Sequence, residues 1–428
     1  MRSLMSHHRL LCSAVVFCFA AAAQAQVPFT VETEAIPTAT AGDLAIVVDR
    51  SDAGRPPMIA AGDPIQNGLY VYHLDGGLLQ IVPYGAMRGV DSRTDLAFQT
   101  APSTLVATAA AITQEVVFGA PVDGGLIDVT SAPVQVPTAS ALTLHRKSNG
   151  QLELIADDSA GNLRRFSVDD DGAGKVVGTS TGNLQLPGVP SSLVVDDRTG
   201  TLYAAIPNSG LYRVGLTLGS VDVLVPLDGG QFNGLVAGLT FYPLFDGGGL
   251  LLTTVAGLDE VTVHELAGPL SANYVTRFTV ERGAEVVRQP RYVDVVPNRL
   301  PGFDAGLFVI HDTAGANYKL VPWEVLASST PVPLPIHVPE DFGLDAGLPD
   351  AGQGDGGEVF ADGGTGDGGL TDGGRPDGGG GTGGSGGGPG PQPVEEGCHC
   401  SQVDPLIFPA LWGLWIFARS RRRRTGVS

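Results

Sequence analysis

Residues 58–80, MIAAGDPIQNGLYVYHLDGGLLQ, change their hydrophobic pattern halfway. A short run that is apolar throughout leads into a polar turn, and a strand of alternating apolar and polar positions follows. The first pattern suits a strand covered on both faces, the second a strand with one face buried. The unit recurs. It begins again near Leu105 (TLVATAAAITQEVVFGAPVDGG), Leu152, Leu202, Leu251 and Leu307 (LFVIHDTAGANYKLVPWE). The six starts are spaced roughly fifty residues apart, the period of a β-propeller whose blades are four-stranded sheets around an axis. No sustained helical periodicity appears between the chain ends. The expectation is an all-β, six-bladed β-propeller over residues 26–342.

The ends read differently. Residues 1–25 carry Arg2 and Arg9, then an apolar stretch, then Ala23-Gln24-Ala25. A basic start, an apolar run and an A-x-A site make a secretory signal peptide, with processing after Ala25. Residues 343–396 are rich in Gly, Asp, Ala and Pro, with few side chains to bury, so a disordered, self-repelling spacer is expected. Residues 397–428 hold Cys398 and Cys400, the run PLIFPALWGLWIFA and the cluster Arg421, Arg422, Arg423 and Arg424. Cysteine, apolar run and arginines together resemble the MYXO-CTERM sorting tails of myxobacterial surface proteins. That resemblance implies processing near Cys398 and Cys400 and attachment to the outer surface. Membrane contact is expected only through this tail.

Charge sharpens this partition. The whole chain has a formal charge of −20. Without the seven arginines of the two terminal segments it becomes −27. A surface this acidic repels phosphate backbones and argues against a nucleic-acid partner. The remaining two cysteines, Cys12 and Cys18, lie in the signal peptide. The propeller therefore has no cysteine, hence no disulfide and no thiolate zinc site.

Several blade segments resemble the β-propeller phytases: GLYVYHLDGGLLQ (68–80), VVDDRTGTLYAAIPNSGLYRV (194–214), AGLTFYP (237–243) and AGLFVIHDTAGANYKLVPWE (305–324). The family patterns are G-L-x-V-Y-D-L-D-G, A-D-D-E-x-G-x-L-Y-I, E-G-L-T-I-Y and N-F-K-L-V-P-W-E. The resemblance spans five of the six blades. It implies a six-bladed propeller that hydrolyses phytate with several calcium ions. Clustered carboxylates would hold the ions, and the metals would polarise phosphoryl oxygens and activate water.

The departures from those patterns are selective. The family's Lys-Lys pair before the first segment is replaced within Asp63-Pro64-Ile65-Gln66-Asn67, and an expected arginine within Ala111-Ile112-Thr113. D-D-P-A-I-W becomes Gly42-Asp43-Leu44-Ala45-Ile46-Val47. N-N-V-D becomes Arg88-Gly89-Val90-Asp91. An acid before A-D-D falls at Ser191-Ser192, A-E-E-D at Ala205-Ile206-Pro207-Asn208, and D-I-E-G-L-T at Leu235-Val236-Ala237-Gly238-Leu239-Thr240. D-G-I-D-V becomes Arg291-Tyr292-Val293-Asp294-Val295. By resemblance, the residual calcium ligands are Asp43, Asp91, Asp197, Asp294 and Asp312. The other reading of these aspartates is structural: an aspartate beside a strand end commonly accepts from nearby backbone N–H groups.

Other chemistry is thin. GTSTG, residues 178–182, matches G-x-S-x-G but is expected in a polar loop without the helix a nucleophile elbow needs. His73, His145, His264, His311 and His337 show no close metal-ligand spacing. The expectation is thus an exported monomer with a phytase-like propeller, its site largely lost, binding an unknown surface ligand. The alternative is an active extracellular 3-phytase or related phosphatase with an altered metal site, acting on phytate or another phosphate ester.

Overall fold

Each hairpin read from the sequence forms the middle two strands of an antiparallel sheet. In the first blade Met58–Asp63 pairs with Gly68–His73, flanked by Leu44–Val47 inside and Leu78–Val82 outside. Six such sheets are present in the computed structural model, which describes residues 25–336 apart from 38–41, 66–67, 218, 246 and 269. The second strands are buried along their whole length, as in Leu105–Ala110 and Leu307–Asp312. A layer covered on both faces needs an unbroken apolar run, which is what those segments carry. The residues before Ala25 read as a signal peptide, those read as a spacer, the tail with Cys398 and Cys400, and His337 lie outside the described residues.

The inner strands are Leu44–Val47, Met87–Arg93, Leu142–Arg146, Ser192–Asp196, Leu235–Pro243 and Val293–Val296. Each touches the next in order, and the sixth touches the first, so they close a ring around the axis. Some turns between second and third strands depend on glycine. Gly68 has φ +111°, and a Cβ there would lie 1.9 Å from the Val82 carbonyl oxygen. Only glycine tolerates both the conformation and the approach.

Closure uses the start of the chain. Val31–Glu32 pairs with Asn317–Pro322 as the outermost strand of blade six. Just before it, Ala25–Pro28 adds parallel to Ser271–Arg282 in blade five. Lys319, buried on the third strand of blade six, pairs with Glu32 and Glu285 and lies 3.7 Å from Asp312. Phe29 packs beneath the Lys319 ammonium at 4.8 Å.

Two local readings change. The strand pattern read through residue 324 stops at Pro322, and a helix, Trp323–Ser329, follows. Its Trp323 stacks on Tyr242 at 3.8 Å, which ties the helix to blade five. The G-x-S-x-G match lies within the outer strand Val176–Gln185 rather than in a loop. Ser180 pairs there with Phe166, and no helix follows.

Candidate functional site

Four of the five aspartates read as candidate ligands come together along the channel wall. Asp43 precedes the inner strand of blade one, Asp91 and Asp294 lie on those of blades two and six, and Asp197 follows that of blade four. Three of them share one geometry. Oδ1 accepts the N–H of the next residue, at 3.0 Å for Leu44, 2.7 Å for Ser92 and 2.8 Å for Val295. Oδ2 reaches across the seam to the neighbouring blade. It accepts from Val90 at 3.3 Å (Asp43), from Leu144 at 2.7 Å (Asp91) and from Ile46 at 2.8 Å (Asp294). Asp197 accepts the N–H of Arg146 at 3.0 Å.

The remaining seams are closed by hydroxyls. Ser192 Oγ accepts the Leu239 N–H at 3.1 Å and donates to the Leu239 carbonyl at 3.2 Å. Thr240 Oγ1 donates to Asp294 Oδ1 at 3.3 Å. Every pair of adjacent inner strands is therefore joined by a side chain that bonds the neighbour's backbone or, at the fifth seam, its carboxylate. The sequence suggested aspartates serving their own turns. The structure shows them also serving the next blade, because inner strands splayed around an axis cannot satisfy one another as sheet neighbours do.

Arg93 stands among these carboxylates. Its Nη1 donates to Asp91 at 2.8 Å and its Nε lies 3.0 Å from Asp197. Burial opposes the guanidinium's charge, but Asp91, Asp197 and Asp294 outweigh it and raise its pKa. Burial pushes Asp294 up to about 7, with Asp91 adding to the rise and the Ile46 N–H opposing it. Burial likewise raises Asp43 well above the ordinary carboxylate range, and raises Asp197 despite Arg93.

The fifth aspartate is elsewhere. Asp312 ends the second strand of blade six, away from the inner ring, and accepts from the Arg288 and Ala314 N–H groups at 3.0 and 3.1 Å.

Calcium, implied by the resemblance, takes six to eight oxygens, commonly from converging carboxylates. Among the described residues no three His, Cys, Asp or Glu side chains are arranged to hold a metal. The wall aspartates are drawn to separate seams, and a guanidinium already supplies positive charge in their midst. As arranged, they do not fit a calcium cluster.

The histidines are structural by their surroundings. His145 lies 3.4 Å from Glu153, which also takes a two-pronged contact from Arg165. Despite burial, these partners hold Glu153 down at about 2. His264 bonds Gln231 at 2.9 Å, and burial lowers its pKa to about 4. His311 is buried between Tyr292 and Tyr318, and burial lowers it to about 3. His73 ends the third strand of blade one, half-buried.

Sequence reasoning missed Arg93, Ser192 and Thr240 as wall elements, and the exposed Arg88 and Arg291 at the mouth, the end of the channel where the inner strands of blades two and six begin. One signal was available. Residues 88–91 and 291–294 both read R-x-V-D, once at the inner strand of blade two and once at that of blade six.

The family model for phytase matches residues 3–337. The chain is similar to a 3-phytase of Bacillus subtilis (strain 168), 25% identical over 327 residues, covering 70% of this chain and 84% of that protein. Among solved structures it overlaps a putative phosphatase from Bacteroides thetaiotaomicron VPI-5482 at TM-score 0.43 and 12% identity, over 65% of this chain and 70% of that one. A protein of unknown function from the same organism overlaps at TM-score 0.41 and 14% identity, over 69% and 74% of the two chains. Overlaps this loose do not bear on function.

Proposed function

The chain belongs to the phytase family, and from that premise we propose that it is an exported, surface-held propeller which binds a ligand without hydrolysing it. One observation carries the reading: the retained wall carboxylates are engaged across the blade seams and with Arg93. A divalent ion would have to break those contacts before it could activate water.

The turns support the same reading. Where the resembled patterns place basic or acidic side chains, Ile65, Ile112 and Leu235 are 46%, 76% and 42% exposed. Such side chains neither neutralise a polyanion nor coordinate a metal. They suit a contact surface. Export rests on the signal-like start with processing after Ala25. Attachment rests on the tail with Cys398 and Cys400. The acidic surface leaves nucleic acid outside the class of partners.

The test is phosphate release from phytate by the purified chain, with and without millimolar calcium, on a sample shown to be folded by circular dichroism. No release is expected in either condition. Calcium-dependent release above a blank would instead establish an active phytase with an altered metal site, the reading favoured by the similarity to the 3-phytase of Bacillus subtilis.

A further inference from the structure

At the end of the propeller where the inner strands finish, three connecting segments meet: 94–104 of blade two, and the turns 147–151 and 171–175 of blade three. Between blades two and three they frame an open cleft of about 390 Å³, lined among others by Phe98, Gln99, Thr100, Gln151, Asp169 and Asp170. That volume is in the range of small-ligand sites. The walls are tied to one another. The Ala97 N–H donates to the Gly150 carbonyl at 3.2 Å. Gly150 has φ +80°, and a Cβ there would lie 2.6 Å from that of Ala97, so only glycine lets these two segments close up.

Asp170 holds the loop of blade two. Its Oδ2 accepts the N–H groups of Gln99 at 2.8 Å and Ala101 at 2.9 Å, and that of Thr100 between them. Its Oδ1 accepts from Thr100 Oγ1 and from the Gly172 N–H at 2.8 Å. Thr100 Oγ1 in turn accepts the Gly174 N–H at 3.2 Å. A carboxylate has about four lone-pair positions, so these donors saturate Asp170. It shapes the cleft and has nothing left to offer a ligand.

The other lining groups are held ready. Phe98 is half-buried, packs on the apolar core shared by blades two and three, and lines the cleft. Gln151 Oε1 accepts from Asn149 at 2.9 Å, which makes Nε2 the donor end of that amide. Ser167 Oγ donates to Asp169 Oδ2 at 2.9 Å and orients the carboxylate. Among the described residues the lining contains no lysine or arginine. A phosphate or carboxylate ligand would find no cationic fork here. A divalent ion needs more oxygens than Asp169 alone supplies. What the cleft presents is two side-chain amides, one available carboxylate and one aromatic ring.

We propose that this cleft binds a short neutral saccharide, with Phe98 against a sugar ring and Gln99, Gln151 and Asp169 on its hydroxyls. The site is separate from the channel and does not depend on whether the propeller hydrolyses phosphate. A sugar ring has C–H groups on its faces and hydroxyls around its edge. The C–H face suits the apolar, electron-rich face of an aromatic ring. Hydroxyls both donate and accept, which matches amides that do both and a carboxylate that accepts. Walls already fixed by Asp170 and Gly150 spare the ligand the cost of ordering them.

The competing explanation is that the cleft is only the gap left where Asp170 pins the loop. The experiment is calorimetric titration of the full chain with maltose, cellobiose and N,N′-diacetylchitobiose as neutral probes and glucuronate as an anionic one. Each is taken to about 10 mM, enough to detect a Kd near 1 mM. Thermal unfolding is recorded on each protein. At least one neutral probe is expected to bind, and glucuronate, repelled by Asp169, is not. Phe98→Leu keeps the apolar packing but removes the ring face, and Gln151→Ala removes the amide. Each is expected to weaken binding about 10-fold with the thermal midpoint unchanged, the worth of one lost contact. Where Phe98→Leu shifts the midpoint, the exposed Gln151 decides the matter alone. The proposal is overturned if no neutral probe binds, if glucuronate binds as tightly as the best of them, or if affinity is unchanged in Gln151→Ala and Phe98→Leu. Phosphate release from phytate bears only on the channel reading above.

Discussion

The channel wall and the channel mouth both carry arginine and treat it in opposite ways. In the wall, Asp43, Asp91, Asp197 and Asp294 each accept a backbone N–H from a neighbouring blade, and Arg93 answers two of them directly. At the mouth, Arg88 and Arg291 stand in water with no carboxylate among the described residues. A charge whose partners are all internal contributes to holding the ring together. A charge left without one is available to something outside the molecule. The difference separates the structural use of a charged residue from the recognitive one more clearly than residue type does.

Removing a charge should test this contrast most strongly in the wall. Arg93→Ala leaves Asp91 and Asp197 facing each other without their cation in a partly buried site. A loss of about 3 kcal/mol is expected, read from urea unfolding. A loss under about 1 kcal/mol would mean that the wall charges are solvated and the contrast is false.

Protonation gives the next largest effect. Asp294 keeps its proton in the folded state up to about pH 7, far above its unfolded value. The folded state therefore binds more protons than the unfolded one in between. The stabilisation from this group is complete below about pH 4 and is lost as pH rises through about 7. The thermal midpoint should fall between pH 5 and pH 8, and Asp294→Asn should flatten that slope. An unchanged slope in the variant would place the titration elsewhere in this acidic chain.

The smallest effect belongs to the mouth. Arg88→Ala and Arg291→Ala should each change stability by no more than about 0.5 kcal/mol, the ordinary range for an exposed side chain without partners. A larger loss would move them into the wall's category.

The sequence made the blades legible because their signal is local. A run such as 105–110 is apolar at every position, and a strand buried on both faces needs nothing else to be recognised. The helix Trp323–Ser329 escaped because it is two turns long and follows a strand without a capping side chain. Asp91 could be read as a strand-end carboxylate. Its partner Leu144, 53 residues away, could not, because that bond depends on how two sheets are set against each other. The arginines at the mouth escaped for a related reason. Being unpaired is a property of surroundings, and no stretch of sequence displays it. The repeated R-x-V-D was visible but has no meaning until blades two and six are known to flank blade one.

The outermost strand of blade six, Val31–Glu32, belongs to the start of the chain, and adjacent Thr30 meets Leu320 across 290 residues. Five blades can form from neighbours in sequence, but the ring cannot close until its last sheet exists. Loop closure over that span is entropically costly, and contacts of long sequence separation form slowly. During synthesis, the leading strand must therefore wait unpaired while everything between it and its partner is made. An open edge with a loose matching strand is the geometry from which two chains exchange segments. The last step of folding is thus also the step at which crowding between nascent copies would do the most harm.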